Sequence, residues 1–269
     1  MLIPLRGDSR LTAYERQQIA IIAAWKYQKP DAGRRALQRL SEQASQAVNK
    51  LLPDSVLPTL VQAINRMAAQ LNRDDSLLKD DWLKNQDIRT LDALKAQPMD
   101  FADELADRVL ADAERIALGM GAATGTGGPV AALAGVPLLL GGALRVIHRI
   151  SQAYGHNTET DEDRILMLHI LALATAIDPE ERKRAMEDYQ QQIEASLLRQ
   201  VISESTQVAL QRVLLGSELT SLIPGLGMIL NARFNQLFIR QAGITAQRIF
   251  QERWLRERGK ITWIQPVAA

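Results

Sequence analysis

The chain contains no cysteine. That absence removes disulfides, thiolate nucleophiles and Cys-ligated zinc or iron, and it suits a reducing compartment. Aromatic residues are scarce, at 4% of the chain, and runs of β-branched residues are rare. With Ala, Leu, Gln, Arg and Glu plentiful, such a composition favours helices and leaves little material for a sheet. An excess of charge is missing too: 32 basic against 31 acidic side chains leave a formal net charge of +1. No global field would draw the protein to nucleic acid or to an acidic substrate, so nucleic acid is not an expected partner.

Catalytic signatures are also absent. No Gly-x-Ser-x-Gly elbow occurs, which argues against a serine hydrolase of the common α/β design. His148, His156 and His169 do not have metal-ligand spacing, and no carboxylate cluster accompanies them, so neither a metal nor another cofactor is expected. His148 reads as an interfacial residue beside Arg145 and Arg149, and His169 as a helix-face residue. Asp161-Glu162-Asp163 resembles a paired-carboxylate site, but acids at a helix start more commonly serve as caps.

What is present is 269 residues, 46% of them apolar, enough to bury a core. Residues 1–26 mix both charges ahead of a short apolar run, Ile19 to Trp25, and do not read as a signal peptide; the expected location is the cytoplasm. Thr12 and Glu15 have capping-box spacing and open a helix over 12–28, which Pro30 closes. Apolar residues at three- and four-residue steps predict helices over 31–50 and 55–71. The more polar stretch 77–97 predicts two short helices across the end of a bundle. A strong helical run begins after Pro98, and further helices are predicted over 161–177, from Asp178-Pro179 to about 215, and over 231–258. With no linker and no repeat, one domain is expected: N-terminal helices over 11–97, a central hairpin over 98–155, C-terminal helices over 160–258 and a tail over 259–269. The predicted fold is all-α, a single multi-helix bundle around a glycine-rich helical hairpin.

The hairpin is the most unusual segment. Residues 116–144 carry no charge over 29 positions but include eight glycines and two prolines. As one straight helix they would reach roughly 43 Å, whereas folding at Gly127-Gly128 leaves arms too short to cross a hydrocarbon core of about 30 Å. Both ends then return to the same side. Thr124-Gly125-Thr126-Gly127-Gly128-Pro129 supplies the turn, because glycines tolerate positive φ and proline suits a helix start. Ala117, Gly121 and Gly125 form a smooth stripe against which Ala131, Ala134 and Gly135 can pack. No Gly-Lys-Ser/Thr follows and no strand precedes, so this is not a phosphate loop, although backbone N–H groups near Pro129 could meet an anion. Either the hairpin is only the bundle's buried centre, or it also enters a membrane interface.

The last helix carries seven basic residues and two acids between Arg233 and Lys260. Arg233, Arg240 and Arg258 fall near one helical face, with Phe234, Leu237, Phe238, Ile249, Phe250 and Trp254 as an apolar side. Such a helix can rest on anionic lipid or form a bundle's outer wall.

These motifs together resemble the EcsC protein family. The resemblance rests on Ala106-Asp107, on residues 123–129, on Arg145-Val-Ile-His-Arg-Ile through Tyr154-Gly155, on Asp163-Arg164-Ile-Leu, and on Ile223-Pro-Gly-Leu-Gly with Asn231. The Glu15 and Trp25 region and Leu52-Pro53 extend it over most of the chain. The family is bacterial, is named for a protein encoded beside an ABC transporter, and has no agreed activity. The resemblance therefore implies a membrane-linked role without a reaction. Many relatives place an aspartate before a second proline-containing turn; here residues 135–142 are wholly apolar.

Three functions follow as expectations. The first is a non-enzymatic helical protein, peripheral on the cytoplasmic face of the inner membrane, accessory to an ABC transporter or another envelope process. Its partner would be a membrane surface or a membrane protein. The second is a hydrolase-like enzyme acting on lipid or peptide, with a pocket at the hairpin mouth. The third is a cytoplasmic protein–protein scaffold with an exposed apolar patch away from the hairpin. The candidate ligand or lipid contacts are Thr124, Gly125, Gly127, Gly128, Arg145, Tyr154, Asn231, Arg233 and Arg240.

Overall fold

The computed structural model describes residues 11–27, 76–124, 128–158, 160–175, 183, 185–187, 189–191 and 232–267. The helices expected over 31–50 and 55–71, the turn at 125–127, the restart at Asp178-Pro179 and the connector at 221–230 lie outside them. Among the described residues every regular element is helical.

Helix α1, Ala13–Tyr27, opens with the capping box that its sequence specifies. Thr12 Oγ1 accepts from the Glu15 N–H at 3.1 Å, and Glu15 Oε2 accepts from the Thr12 N–H at 2.9 Å. Two donors without intrahelical partners are thereby satisfied. A 3-10 turn, Ser76–Lys79, leads to the two expected short helices, α2 (Asp81–Asn85) and α3 (Leu91–Lys95). Asp80 and Thr90 cap them, accepting from Trp82 N and Ala93 N.

Pro98 precedes α4, Met99–Thr124, and its carbonyl accepts from the Ala102 N–H at 3.2 Å. Three residues separate α4 from α5, Gly128–Ala153. Asp103, near the start of α4, is bonded to Tyr154, just beyond α5, so the start of α4 and the end of α5 lie together. Of the expected small-residue stripe, Ala117 is buried, and the side-chain packing of the rest lies outside the described residues. Gly155 follows α5 with φ of 78°, and a Cβ there would overlap the Lys95 backbone, so only glycine fits this junction.

Helix α6, Asp161–Thr175, starts on a second reciprocal cap: Thr160 Oγ1 accepts from the Asp163 N–H at 3.1 Å and donates to Asp163 Oδ2 at 2.8 Å. The cap is therefore made by the Thr160 hydroxyl, and the Asp163 carboxylate, expected as a cap, instead accepts from that hydroxyl and from Arg253. Helix α7, Ala232–Glu257, lies antiparallel to α4, with Gln247 on Asp107, Gly243 against Leu110 and Gln236 on Glu114. It runs parallel to α5, with Ile239 beside Gly142 and Phe250 beside Tyr154.

The core forms where these helices meet. Ala102, Leu105, Ala106 and Val109 of α4 face Ala143, Leu144, Ile147 and Ile150 of α5 and Ile239, Ala242, Ala246, Ile249 and Phe250 of α7. Each fully buried Leu, Ile or Phe contributes about 1.5–3 kcal/mol relative to exposure. A Cβ at Gly243 would sit 2.5 Å from Leu110 Cδ1, so this glycine lets α4 and α7 approach closely.

Two sequence readings require correction. α7 is not an outer wall: Gln241, Thr245, Gln247, Gln251 and Glu252 are buried along with its apolar residues, so nearly its whole circumference in the second half is covered. Gln247, Gln251 and Glu252 have partners on α4, α1 and the C-terminal tail, which a one-helix projection cannot reveal. His148 is not interfacial either. It is fully buried, with Nδ1 2.7 Å from Thr158 Oγ1. His169, expected on a helix face, lies on a buried face of α6, and burial holds its imidazole down to about 4.

Candidate functional site

The two ends of the central helices differ in chemistry. At the end where α4 starts and α7 finishes, polar side chains converge inside the protein. Asp103 of α4 accepts from Tyr14 Oη of α1 at 2.6 Å, from Gln251 Nε2 of α7 at 2.8 Å and from Tyr154 Oη. Gln18 Oε1 accepts from Arg248 at 3.1 Å and Gln251 at 3.3 Å, and Arg248 also donates to Gln251 Oε1 at 2.8 Å. Burial pushes the Asp103 carboxyl above the usual range, against the downward pull of its three donors and Arg248. Burial and the neighbouring Asp103 raise both tyrosine hydroxyls. With both carboxyl oxygens occupied and Asp103 3% exposed, the cluster fits a lock joining four chain segments better than an acid–base centre open to substrate.

A second buried polar contact lies alongside. Lys26 Nζ is 2.8 Å from Glu252 and donates to the Ile264 carbonyl at 2.9 Å, while Glu252 Oε1 accepts from the Ile264 N–H. The Lys26 ammonium also stands 3.5 Å from the Trp263 ring centroid. Lys260 Nζ meets Glu15 Oε1 at 2.5 Å, and the Val267 N–H donates to the Ala23 carbonyl. The C-terminal tail therefore runs along α1 and fixes it to α7. At the α5–α6 junction, His156 stacks on Phe250 with Nε2 3.6 Å from Glu257 Oε2. Burial, then Arg253, lowers His156 to about 4. Among the described residues no group of three or more His, Asp or Glu is placed to hold a metal ion.

Among the described residues the opposite end has little of this. Beyond Arg115 the charge stops, and Ile116 and Leu118 are 61% and 39% exposed. Gly119 is exposed with open space beside its α-carbon, whereas Ala117 and Leu139 are buried. At this level α4 thus has a covered side at Ala117 and an exposed apolar side at Ile116 and Leu118. At the level where charge ends, three exposed arginines occur on three helices. Arg115 pairs with Asp112 at 2.9 Å, and Arg240 lies 3.8 Å from Glu114. Arg145 reaches Ser76 Oγ at 3.5 Å, one turn after Gly142, which abuts Ile239 next to Arg240.

The nine sequence-derived contact residues do not form one described cluster. Tyr154 is fully buried on Asp103, Arg145 is on the surface, and Arg240 is more than half exposed beside Glu114. Thr124 ends α4, Gly128 starts α5 and Arg233 lies in the first turn of α7, but their side-chain surroundings lie outside the described residues, as do Gly125, Gly127 and Asn231 altogether. Sequence reading missed Asp103, Gln18, Gln251 and the Lys26–Glu252 pair. Asp103 carried a signal, since Met99, Ala106 and Leu110 place it on the buried stripe of α4.

Comparison with known proteins adds the family. The chain is 22% identical over 225 residues to the protein EcsC of Bacillus subtilis (strain 168), covering 82% of this chain and 88% of the relative. It is 21% identical over 241 residues to the uncharacterized protein YdbA of the same organism, covering 84% and 88%. No solved structure matches. The EcsC protein family pattern matches residues 16–255, from the first turn of α1 almost to the end of α7, and the chain belongs to that family.

Proposed function

We propose that the protein is a non-enzymatic helical protein that associates peripherally with a membrane through the charge-free end of its central hairpin. The observation that carries this reading is the exposure of Ile116 and Leu118 where a 29-residue uncharged segment begins. Apolar residues exposed at the start of such a segment favour an apolar partner phase. Among the described residues no helix is long and apolar enough to cross a membrane, which favours association from one side. The family membership supplies no reaction. A hydrolase has less to support it, because Tyr154 is committed to Asp103 inside the protein and Arg145 lies on the surface. Among the described residues the other exposed large hydrophobics are Tyr27 and Val267, where the tail meets the end of α1.

Sedimentation with phosphatidylcholine–phosphatidylglycerol vesicles tests the proposal. The wild type is expected in the pellet, and an Ile116→Asp/Leu118→Asp variant with unchanged helicity in the supernatant. Wild-type protein that stays in the supernatant, and is also missing from the membrane fraction of cell lysates, would sink it. Absence from lipid vesicles combined with presence in the cell membrane fraction would move the contact from lipid to a membrane protein, such as the transporter suggested by the family resemblance.

A further inference from the structure

The contacts between α4, α5 and α7 give the molecule a direction, and from it we infer that the bundle stands end-on to one leaflet, with Arg115, Arg145 and Arg240 as a collar on anionic headgroups. This rests on the membrane reading above and adds orientation, depth and lipid charge to it.

The contacts fix the level of each part. Asp107 on Gln247, Leu110 on Gly243 and Glu114 beside Arg240 step along α4 and α7 in opposite directions. Continued at the same register, Ala232 falls near Gly121 or Ala122. The start of α7, the last turns of α4 and the start of α5 therefore share one end of the bundle. Arg115 and Arg240 adjoin Glu114, and Arg145 is one turn from the Gly142–Ile239 contact. The three exposed arginines belong to three different helices and ring the bundle where the uncharged arms begin.

The arms themselves limit depth. From residue 116 to the end of α4 at Thr124 is about nine residues, or roughly 13 Å of helix, under half of a hydrocarbon core. Ile116 and Leu118 then lie at the boundary between headgroups and acyl chains, with the collar above them. A cation near an anionic surface gains about fivefold in binding, so three would together supply roughly a hundredfold.

All four tryptophans lie at the other end. Trp82 stacks on Phe101 in the first turn of α4, Trp254 lies near the end of α7, and Lys26 brings Trp25 and Trp263 to the level of Glu252. Gln251, next to Glu252, bonds Asp103 near the start of α4, so these rings stand about 20 Å from the collar along the helix axis.

That separation permits a direct test on the full chain. Vesicles of phosphatidylcholine and phosphatidylglycerol, with acyl chains brominated near the headgroup, quench any tryptophan they contact. Bound wild type is expected to keep its emission, and bound Leu118→Trp to lose the emission of the added ring. Quenching of the wild-type tryptophans would overturn the orientation while leaving membrane association intact, and bound Leu118→Trp with unchanged emission would overturn entry into the leaflet. Arg115→Gln/Arg145→Gln/Arg240→Gln, with helicity checked by circular dichroism, is expected to lower affinity for anionic vesicles by roughly a hundredfold and to leave weak binding to neutral vesicles unchanged. An equal loss on both vesicle types, or no loss, would overturn the collar. Failure of wild-type sedimentation is a different outcome and strikes the membrane reading itself.

Discussion

The same three helices have unlike ends. Around Asp103, α4 and α7 are joined to α1 and the segment after α5 by buried hydrogen bonds and a buried ion pair. Within about one turn beyond Glu114, the described surface of α4 is apolar and exposed at Ile116 and Leu118. Buried polar networks allow few alternative arrangements, because each partner left unsatisfied costs free energy; apolar contacts are less directional. The polar end is therefore built for one fixed arrangement, and the apolar end can exchange its surroundings without breaking hydrogen bonds. Mutations at the two ends should consequently separate stability from binding.

The largest effect is expected at the polar end. Lys26→Met leaves Glu252 charged and buried, and should lower unfolding free energy in urea by about 3–5 kcal/mol. Lys26→Met/Glu252→Leu should recover most of that, and no recovery would mean that packing rather than the pair sets the cost. Gly155→Ala places a methyl against the Lys95 backbone at a positive φ, and a loss of about 3 kcal/mol is expected in the same assay.

Acid should act through the buried histidines. Folding depresses His156 and His169 from the usual 6.5 to about 4, so each favours the folded state fully above pH 6.5 and loses that contribution as pH falls towards 4. At pH 5 the loss is about 2 kcal/mol per histidine. Asp103, raised in the folded state, has the opposite sign: its protonated form is the one favoured by burial, so acid does not weaken the fold through this group. His169→Leu should therefore flatten the pH 7-to-5 slope by about 2 kcal/mol, and an unchanged slope would assign acid sensitivity elsewhere.

Smaller effects sharpen the contrast. Thr12→Ala removes one half of the α1 capping box and should cost about 1 kcal/mol in thermal or urea unfolding. Ile116→Ser, at an exposed site, should change stability by less than about 0.5 kcal/mol while weakening vesicle sedimentation. A large stability loss there would make the exposed end part of the structural core.

Legibility followed the distance between partners. The Thr12–Glu15 cap was readable because both residues lie within one turn, and the long helices were readable from their apolar period. The role of Asp103 was harder to see, since Tyr14, Tyr154 and Gln251 lie 89, 51 and 148 residues away in sequence. α7 misled for a related reason: Gln241, Thr245, Gln247 and Gln251 look like a solvated face until three other helices are placed around them. Ala242, Gly243 and Ala246, small residues within a long helix, were the available signs of close packing.

The sequence alone determined the all-α class, the main helix starts and an uncharged segment of 29 residues, because propensity, caps and charge act within a few residues. Only the tertiary structure decided which polar residues are buried, that α7 is central, and that Arg115, Arg145 and Arg240 share a level. Those properties depend on the register between helices, and register is set by packing across chain-distant segments such as Gly243 against Leu110.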